Sequence, residues 1–119
     1  MIGTDASILV VEDESILAML LEDFLGDLGY AQPFVASTVG QALKILETRP
    51  ITFAILDINL GGEKSFPIAD DLDARGIPYI FMSGYGAAGV PERLQNRYVL
   101  QKPYGAEDLK KALAQHVIA

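Results

Sequence analysis

Apolar residues in this chain fall into two spacings that alternate along its length. Short blocks of nearly continuous apolar character run over Ser7–Val11, Pro33–Ala36, Thr52–Asp57, Pro78–Met82 and Tyr98–Gln101. Blocks this short, bounded by turn residues, read as strands buried on both faces of a helix-covered sheet. Between them the apolar residues recur three and four apart. Glu14 to Leu28 places Leu17, Leu20, Leu21, Phe24 and Leu28 on one helical face and stops at Gly29. Thr38 and Gln41 make a capping box ahead of Ala42, Ile45 and Leu46, and Pro50 ends that helix. Ser65 and Pro67 open a third helix, with Ile68, Ala69 and Leu72 inward and Gly76 closing it. Ala106 to Val117 is the last, presenting Leu109, Leu113 and Val117. The stretch between the fourth and fifth strands differs. Gly84, Gly86, Gly89 and Pro91 leave a fourth helix short or poorly formed and make a mobile loop of Gly84–Gly89.

Strands alternating with helices specify a parallel sheet with right-handed crossovers. The predicted fold class is α/β, a flavodoxin-like (βα)5 doubly wound sheet of five strands. With 119 residues, half of them hydrophobic, the chain reads as a single domain over 1–119 with a sizeable core. No apolar run approaches bilayer-spanning length. Met1 to Ala6 carries an acid where a leader would be basic, so no signal peptide is expected. The absence of cysteine excludes a disulfide framework and thiolate metal sites, and a cytoplasmic location is expected. A net charge of −7 with scattered basic residues argues against nucleic acid, whose phosphates need clustered Lys and Arg. Protein partners are expected instead, with no membrane association.

In a parallel sheet every strand ends on the same edge, and open α/β folds place their ligand sites there. Four of the predicted strands send polar groups to it: Glu12 and Asp13 after the first, Asp57 at the end of the third, Ser83 after the fourth, Lys102 after the fifth. Each alone has an ordinary explanation, as a solvated acidic loop, a loop cap, a turn serine or a surface lysine. Their convergence on one edge points to a site. Two carboxylates about 4 Å apart repel by roughly 4 kcal/mol at an effective dielectric near 20, so the cluster must hold a proton or meet a cation. Oxygen ligands without His or Cys suit a hard ion, and few carboxylates completed by water suit Mg²⁺. Calcium fits less well, since no D-x-D-x-D-G loop is present. An ion on Asp13 and Asp57 leaves an Asp57 oxygen free as a nucleophile, with Lys102 and Ser83 placed to bind phosphoryl oxygens.

With these residues in place the chain resembles the receiver domains of bacterial response regulators (CheY-like) over essentially its whole length. V-V-E-D-E matches the family's acidic pair, L-D-I-N its phospho-acceptor, M-S-G its switch hydroxyl and Q-K-P-Y its lysine-proline. The resemblance implies that Asp57 accepts a phosphoryl group from a histidine kinase or phosphotransfer protein. It implies that Asp13 binds Mg²⁺ directly, Glu12 through water and Asn59 through its backbone carbonyl. Ser83 and Lys102 would contact the phosphoryl oxygens, and Lys102-Pro103 would be a cis peptide. F-M-S-G-Y-G, followed by P-E-R-L, is similar to single-domain regulators with a Phe-Ala-Thr/Ser-Gly-Tyr motif, associated with stress-response phosphorelays. Such a regulator has no output domain and signals through a partner's surface or drains phosphate from a kinase. There are departures. Gly61 replaces a common proline, Met82 stands at the motif's alanine, and Val99 occupies the place of the aromatic that usually swings inward on phosphorylation. Tyr98 points to the opposite face from Val99. The expected reader is therefore Tyr85, in a loop where Gly84 and Gly86 permit large backbone changes.

Three other readings compete. Gly84-Tyr-Gly86-Ala-Ala-Gly89 fits the spacing of a dinucleotide-binding loop, but Pro91 breaks the helix that should follow and no acid ends the next strand. A Mg²⁺-dependent phosphatase of haloacid-dehalogenase type needs a second aspartate two places after the nucleophile, where this chain has Asn59. A receiver-like scaffold that takes no phosphate is a third, opposed by the complete acceptor set. His116, the only histidine, is expected to be a solvated helix residue.

Overall fold

Ile, Val, Leu and Phe dominate the central blocks, and these β-branched and bulky side chains fill both faces of a pleated strand. The computed structural model describes residues 5–86 and 89–116. The inward place expected for Val117 lies outside them, as do Ala87 and Ala88 of the expected mobile loop and Met1–Thr4. Strands β1 (Ile8–Val11), β2 (Phe34–Ala36), β3 (Phe53–Asp57), β6 (Tyr79–Ser83) and β7 (Val99–Gln101) form one parallel sheet in the order β2-β1-β3-β6-β7. Every residue of β1, β3 and β6 is buried, whereas the edge strands β2 and β7 are only partly covered. The doubly wound flavodoxin-like reading holds.

Alternation along the strands splits the core in two. Leu9, Val11, Ala54, Leu56, Tyr79 and Phe81 face helices α2 (Val39–Thr48) and α3 (Phe66–Arg75). Ile8, Val10, Phe53, Ile55, Ile80 and Met82 face α1 (Ser15–Asp27) and α4 (Ala106–His116). The capping box is built much as expected: Gln41 N donates to Thr38 Oγ1 at 3.1 Å, while Gln41 Oε1 accepts from Ser37 N at 2.9 Å. The segment between β6 and β7 forms no α-helix among the described residues, only a 3₁₀ turn at Glu92–Leu94. That is the short, poorly formed element its glycines and proline implied.

Three features depart from the sequence reading. The buried residues of α1 are Ala18, Leu21 and Leu25, with Leu17, Phe24 and Leu28 half-buried and Leu20 46% exposed. Ile16 to Leu21 is apolar all round, so periodicity there cannot choose a face, and packing chose one turned toward Leu25. His116 is half-buried, its ring stacked on Tyr98 at 4.6 Å between centroids, and is not a freely solvated residue. Finally, the Gly61-Gly62 loop is the turn of a small antiparallel hairpin, β4 (Asn59–Leu60) with β5 (Glu63–Lys64). Gly61 at φ 57° and Gly62 at φ 97° supply the two positive angles that a tight two-residue hairpin requires.

Leu25→Ala is expected to cost about 2–5 kcal/mol of unfolding free energy, as a fully buried leucine does, and Leu20→Ala no more than about 1 kcal/mol. Urea denaturation of the two variants checks this, and equal losses would return the core face to Leu20.

Candidate functional site

The carboxyl edge of the sheet gathers the polar groups. β3 is apolar until its last residue, so Asp57 ends a fully buried strand beside Met82, with Ser83 one place further along β6. Ile58 N donates to Met82 O at 3.1 Å and Lys102 N donates to Ser83 O at 2.9 Å, which holds the strand ends in line. Glu12 leaves β1 with its backbone N on Ala36 O at 3.0 Å and is itself only 3% exposed. Asp13 follows on the surface.

Lys102 closes the cluster. Its Nζ lies 3.0 Å from Asp57 Oδ2 and 3.1 Å from Glu12 Oε2. Asp57 Oδ1 accepts from Asn59 N at 3.4 Å, and Glu12 Oε1 accepts from Glu14 N at 3.2 Å. Glu12, Asp13 and Asp57 each offer a carboxylate oxygen, all within 4.8 Å of one another. Three carboxylates thus face one ammonium. Burial, then the charge of Asp57, pushes the Glu12 carboxyl up to about 7. Burial pulls the Lys102 ammonium down, but its contacts with Asp57 and Glu12 outweigh this and raise it. An excess of negative oxygen donors, partly relieved by a proton on Glu12, is a donor set that fits a hard divalent cation.

The structure therefore brings together Glu12, Asp13, Asp57, Asn59, Ser83 and Lys102. Lys102-Pro103 is cis. Tyr85 is 78% exposed, and its backbone N donates to Ser83 Oγ at 3.0 Å, so hydroxyl and loop are joined. Gly84 accepts from Gln101 Nε2 at 3.3 Å. Val99 packs with the core on one side of the sheet and Tyr98 with the core on the other, which bears out their opposite facing. One neighbour was given no role in the sequence reading. Tyr104 flanks the site, and burial pushes its hydroxyl up to about 12. Gly61 stands so close that a Cβ on it would be 3.2 Å from Asp13 Oδ2, which suits glycine at the place of the family's common proline. A Gly-Gly pair flanked by strand formers is the signal that could have revealed the hairpin.

Glu12 yields a pH prediction for the metal-free protein. Its folded-state pKa, about 7, is above its ordinary 4.5, so the folded chain holds a proton that the unfolded chain releases. Its contribution is present in full below pH 4.5 and is lost as pH rises through about 7. In chelator, Glu12→Gln is expected to flatten the stability change between pH 5 and 7.5, read by urea denaturation. An unchanged slope would remove Glu12 as its source.

Comparison with known proteins places this geometry. Residues 8–114 match the family model "Response regulator receiver domain". SdrG from Sphingomonas melonis Fr1, solved in solution, is 46% identical with a TM-score of 0.82, over 94% of this chain and 96% of that one. The BeF3-activated conformation of SdrG from Pseudomonas melonis Fr1 is 48% identical with a TM-score of 0.79, over 91% of this chain and 92% of that one. The PhyR stress response regulator is 28% identical with a TM-score of 0.77, over 93% of this chain and 44% of that one. The acid tolerance regulatory protein ActR of Sinorhizobium medicae (strain WSM419) is 28% identical over 97% of this chain, which spans 61% of ActR's length.

Proposed function

Since the chain belongs to the receiver domains of response regulators, we propose that it accepts a phosphoryl group on Asp57 from a histidine kinase or phosphotransfer protein in a Mg²⁺-dependent reaction. The observation that carries this reading is the contact of Lys102 Nζ with both Asp57 and Glu12 beside the exposed Asp13. In it, an Asp57 oxygen attacks the phosphorus of a phosphohistidine. The P–N bond breaks, the imidazole leaves and takes up a proton, and an aspartyl phosphate forms. Lys102 offsets the charge gathering on the transferred oxygens, and the Ser83 hydroxyl donates to one of them. Mg²⁺, held by Asp13, Asp57 and the Asn59 carbonyl with Glu12 acting through water, would screen the remaining charge.

Helix α1 supports a protein donor. Ile16, Met19 and Leu20 are exposed on it, and a groove of about 480 Å³ runs from Leu17, Leu20 and Phe24 to Lys102 and Glu12. An apolar surface that ends at the acceptor suits a partner that must bring a histidine to Asp57. Tyr85 is the reader in this proposal. Phosphorylation adds about −1.5 to −2 charges, which draws Ser83 toward Asp57. The hydrogen bond from Tyr85 N to Ser83 Oγ supports passing that movement to Tyr85 through Gly84 and Gly86. Similarity to PhyR, a stress response regulator, supports a role in stress signalling.

Phosphate from acetyl phosphate or a phosphohistidine protein is expected on Asp57 only with Mg²⁺ present, and Asp57→Ala should abolish it. Incorporation at another residue in that variant would sink the assignment. Asp13→Asn should weaken Mg²⁺ binding more than Glu12→Gln, because loss of a partner outside the direct ligands costs about 10–100-fold at most. Equal affinities by NMR titration would count against the ligand roles. The amides of Tyr85 and Gly86 are expected to shift when beryllofluoride binds; unchanged amides would show that this loop is not the switch.

A further inference from the structure

The peptide unit that joins Gly84 to Tyr85 is held at both ends. Its N–H, on Tyr85, donates to Ser83 Oγ at 3.0 Å. Its carbonyl, on Gly84, accepts from Gln101 Nε2 at 3.3 Å. Among the described residues no other side chain bonds to this unit. Gln101 closes β7 level with Ser83 at the end of β6, and its side chain is exposed. The other end of the Gln101 amide reaches toward Gly86, where a Cβ would stand 3.4 Å from Oε1. One side chain of the edge strand thus spans the glycines on either side of Tyr85.

The two hydrogen bonds have different fates in the proposed transfer. The Ser83 hydroxyl is drawn to the phosphoryl group, so the N–H end is free to follow it. Gln101 has no part in that chemistry. Its backbone is fixed in the sheet, between the buried Leu100 and Lys102, whose N donates to Ser83 O at 2.9 Å. A peptide unit is planar, so its N–H and C=O ends turn together. Turning it after the hydroxyl pulls the Gly84 carbonyl off Gln101. At 3.3 Å that bond is already longer than the usual limit of about 3.2 Å, so it yields before the shorter backbone bonds around it. A contact made in only one of two states adds its worth to the balance between them.

We propose that Gln101 is a positioning residue that holds the Gly84–Tyr85 peptide in its phosphate-free orientation and so sets how strongly the loop resists the switch. The inference rests on Asp57 being the acceptor and Ser83 the hydroxyl drawn toward it. It gives the residue before Lys102 a task opposite to that of Lys102: one binds the arriving group, the other holds the loop against it.

The test titrates beryllofluoride and Mg²⁺ into the protein and reads the amides of Ser83, Tyr85 and Gly86 by NMR. Gln101→Met, similar in length but without a donor, is expected to bind beryllofluoride about threefold more tightly, the worth of a long neutral hydrogen bond. Without ligand, its Tyr85 and Gly86 amides should already lie part of the way to their bound positions. Gln101→Asn keeps the amide but is one carbon too short to reach the Gly84 carbonyl, so it should behave like Gln101→Met. Affinity for Mg²⁺ alone should stay the same in both. Unchanged or weaker beryllofluoride binding, unmoved amides, or Mg²⁺ binding tightened by the same factor overturns the proposal while leaving Asp57 as acceptor. Failure of the unmodified protein to bind beryllofluoride overturns both readings.

Discussion

Everything at this edge depends on keeping negative charge half-buried without letting it disrupt the sheet. Glu12 and Asp57 each follow a run of apolar residues that fills both faces, so neither can retreat into water without pulling a strand end with it. Close carboxylates in such a place repel by several kcal/mol, and removing one partner from a buried ion pair costs about 3–5 kcal/mol. Lys102 reconciles them by contacting both at once from the opposite side of the cluster. It does so from the end of β7, across β6 from β3, and only parallel strands bring those ends together. The fold and the charge balance are therefore one constraint: the sheet order sets the ion pairs, and the ion pairs allow the acids to stay.

This is why so much of the site was legible in the sequence. An aspartate at the end of five buried residues is conspicuous, and parallel strands fix where the other ends must lie. The same logic located Glu12, Asp13, Ser83 and Lys102 without any knowledge of distances. It failed where a signal is too short or too uniform. Strands of two residues cannot show a period, so β4 and β5 passed as a loop. The α1 face was missed by one step of rotation, because an unbroken apolar run satisfies several helical registers and only packing distinguishes them. Ties between distant elements, such as Arg93 on Asp70, have no sequence signature at all.

The two ends of the sheet edge are supported unequally. On the β4–β5 side, Leu60 anchors a hydrogen-bonded hairpin whose glycine turn lies close against Asp13. On the β6–β7 side, the place of a fourth helix is taken by an irregular segment. Val90 and Leu94 are buried from it, and arginines tie it to α3: Arg93 reaches both carboxylate oxygens of Asp70, and Arg97 contacts Asp73 and the Tyr79 hydroxyl. Exposed pairs of this kind contribute about 0–1 kcal/mol each, far less than buried helix packing.

That inequality has a mechanical consequence. A change of charge at Asp57 acts on both sides of the edge, and the side with fewer buried contacts rearranges at lower cost. On the proposed reading, Asn59 and the hairpin are the fixed reference against which the site is held, while Ser83, Tyr85 and the segment beyond them would supply the movement. The substitution of Val for an aromatic at residue 99 fits the same division. With no large ring on β7 to swing, the proposed movement would fall to the loop that already shares a hydrogen bond with the Ser83 hydroxyl. Rigidity on one flank and weak tethering on the other would let the proposed phosphoryl group be held accurately and still be felt at a distance.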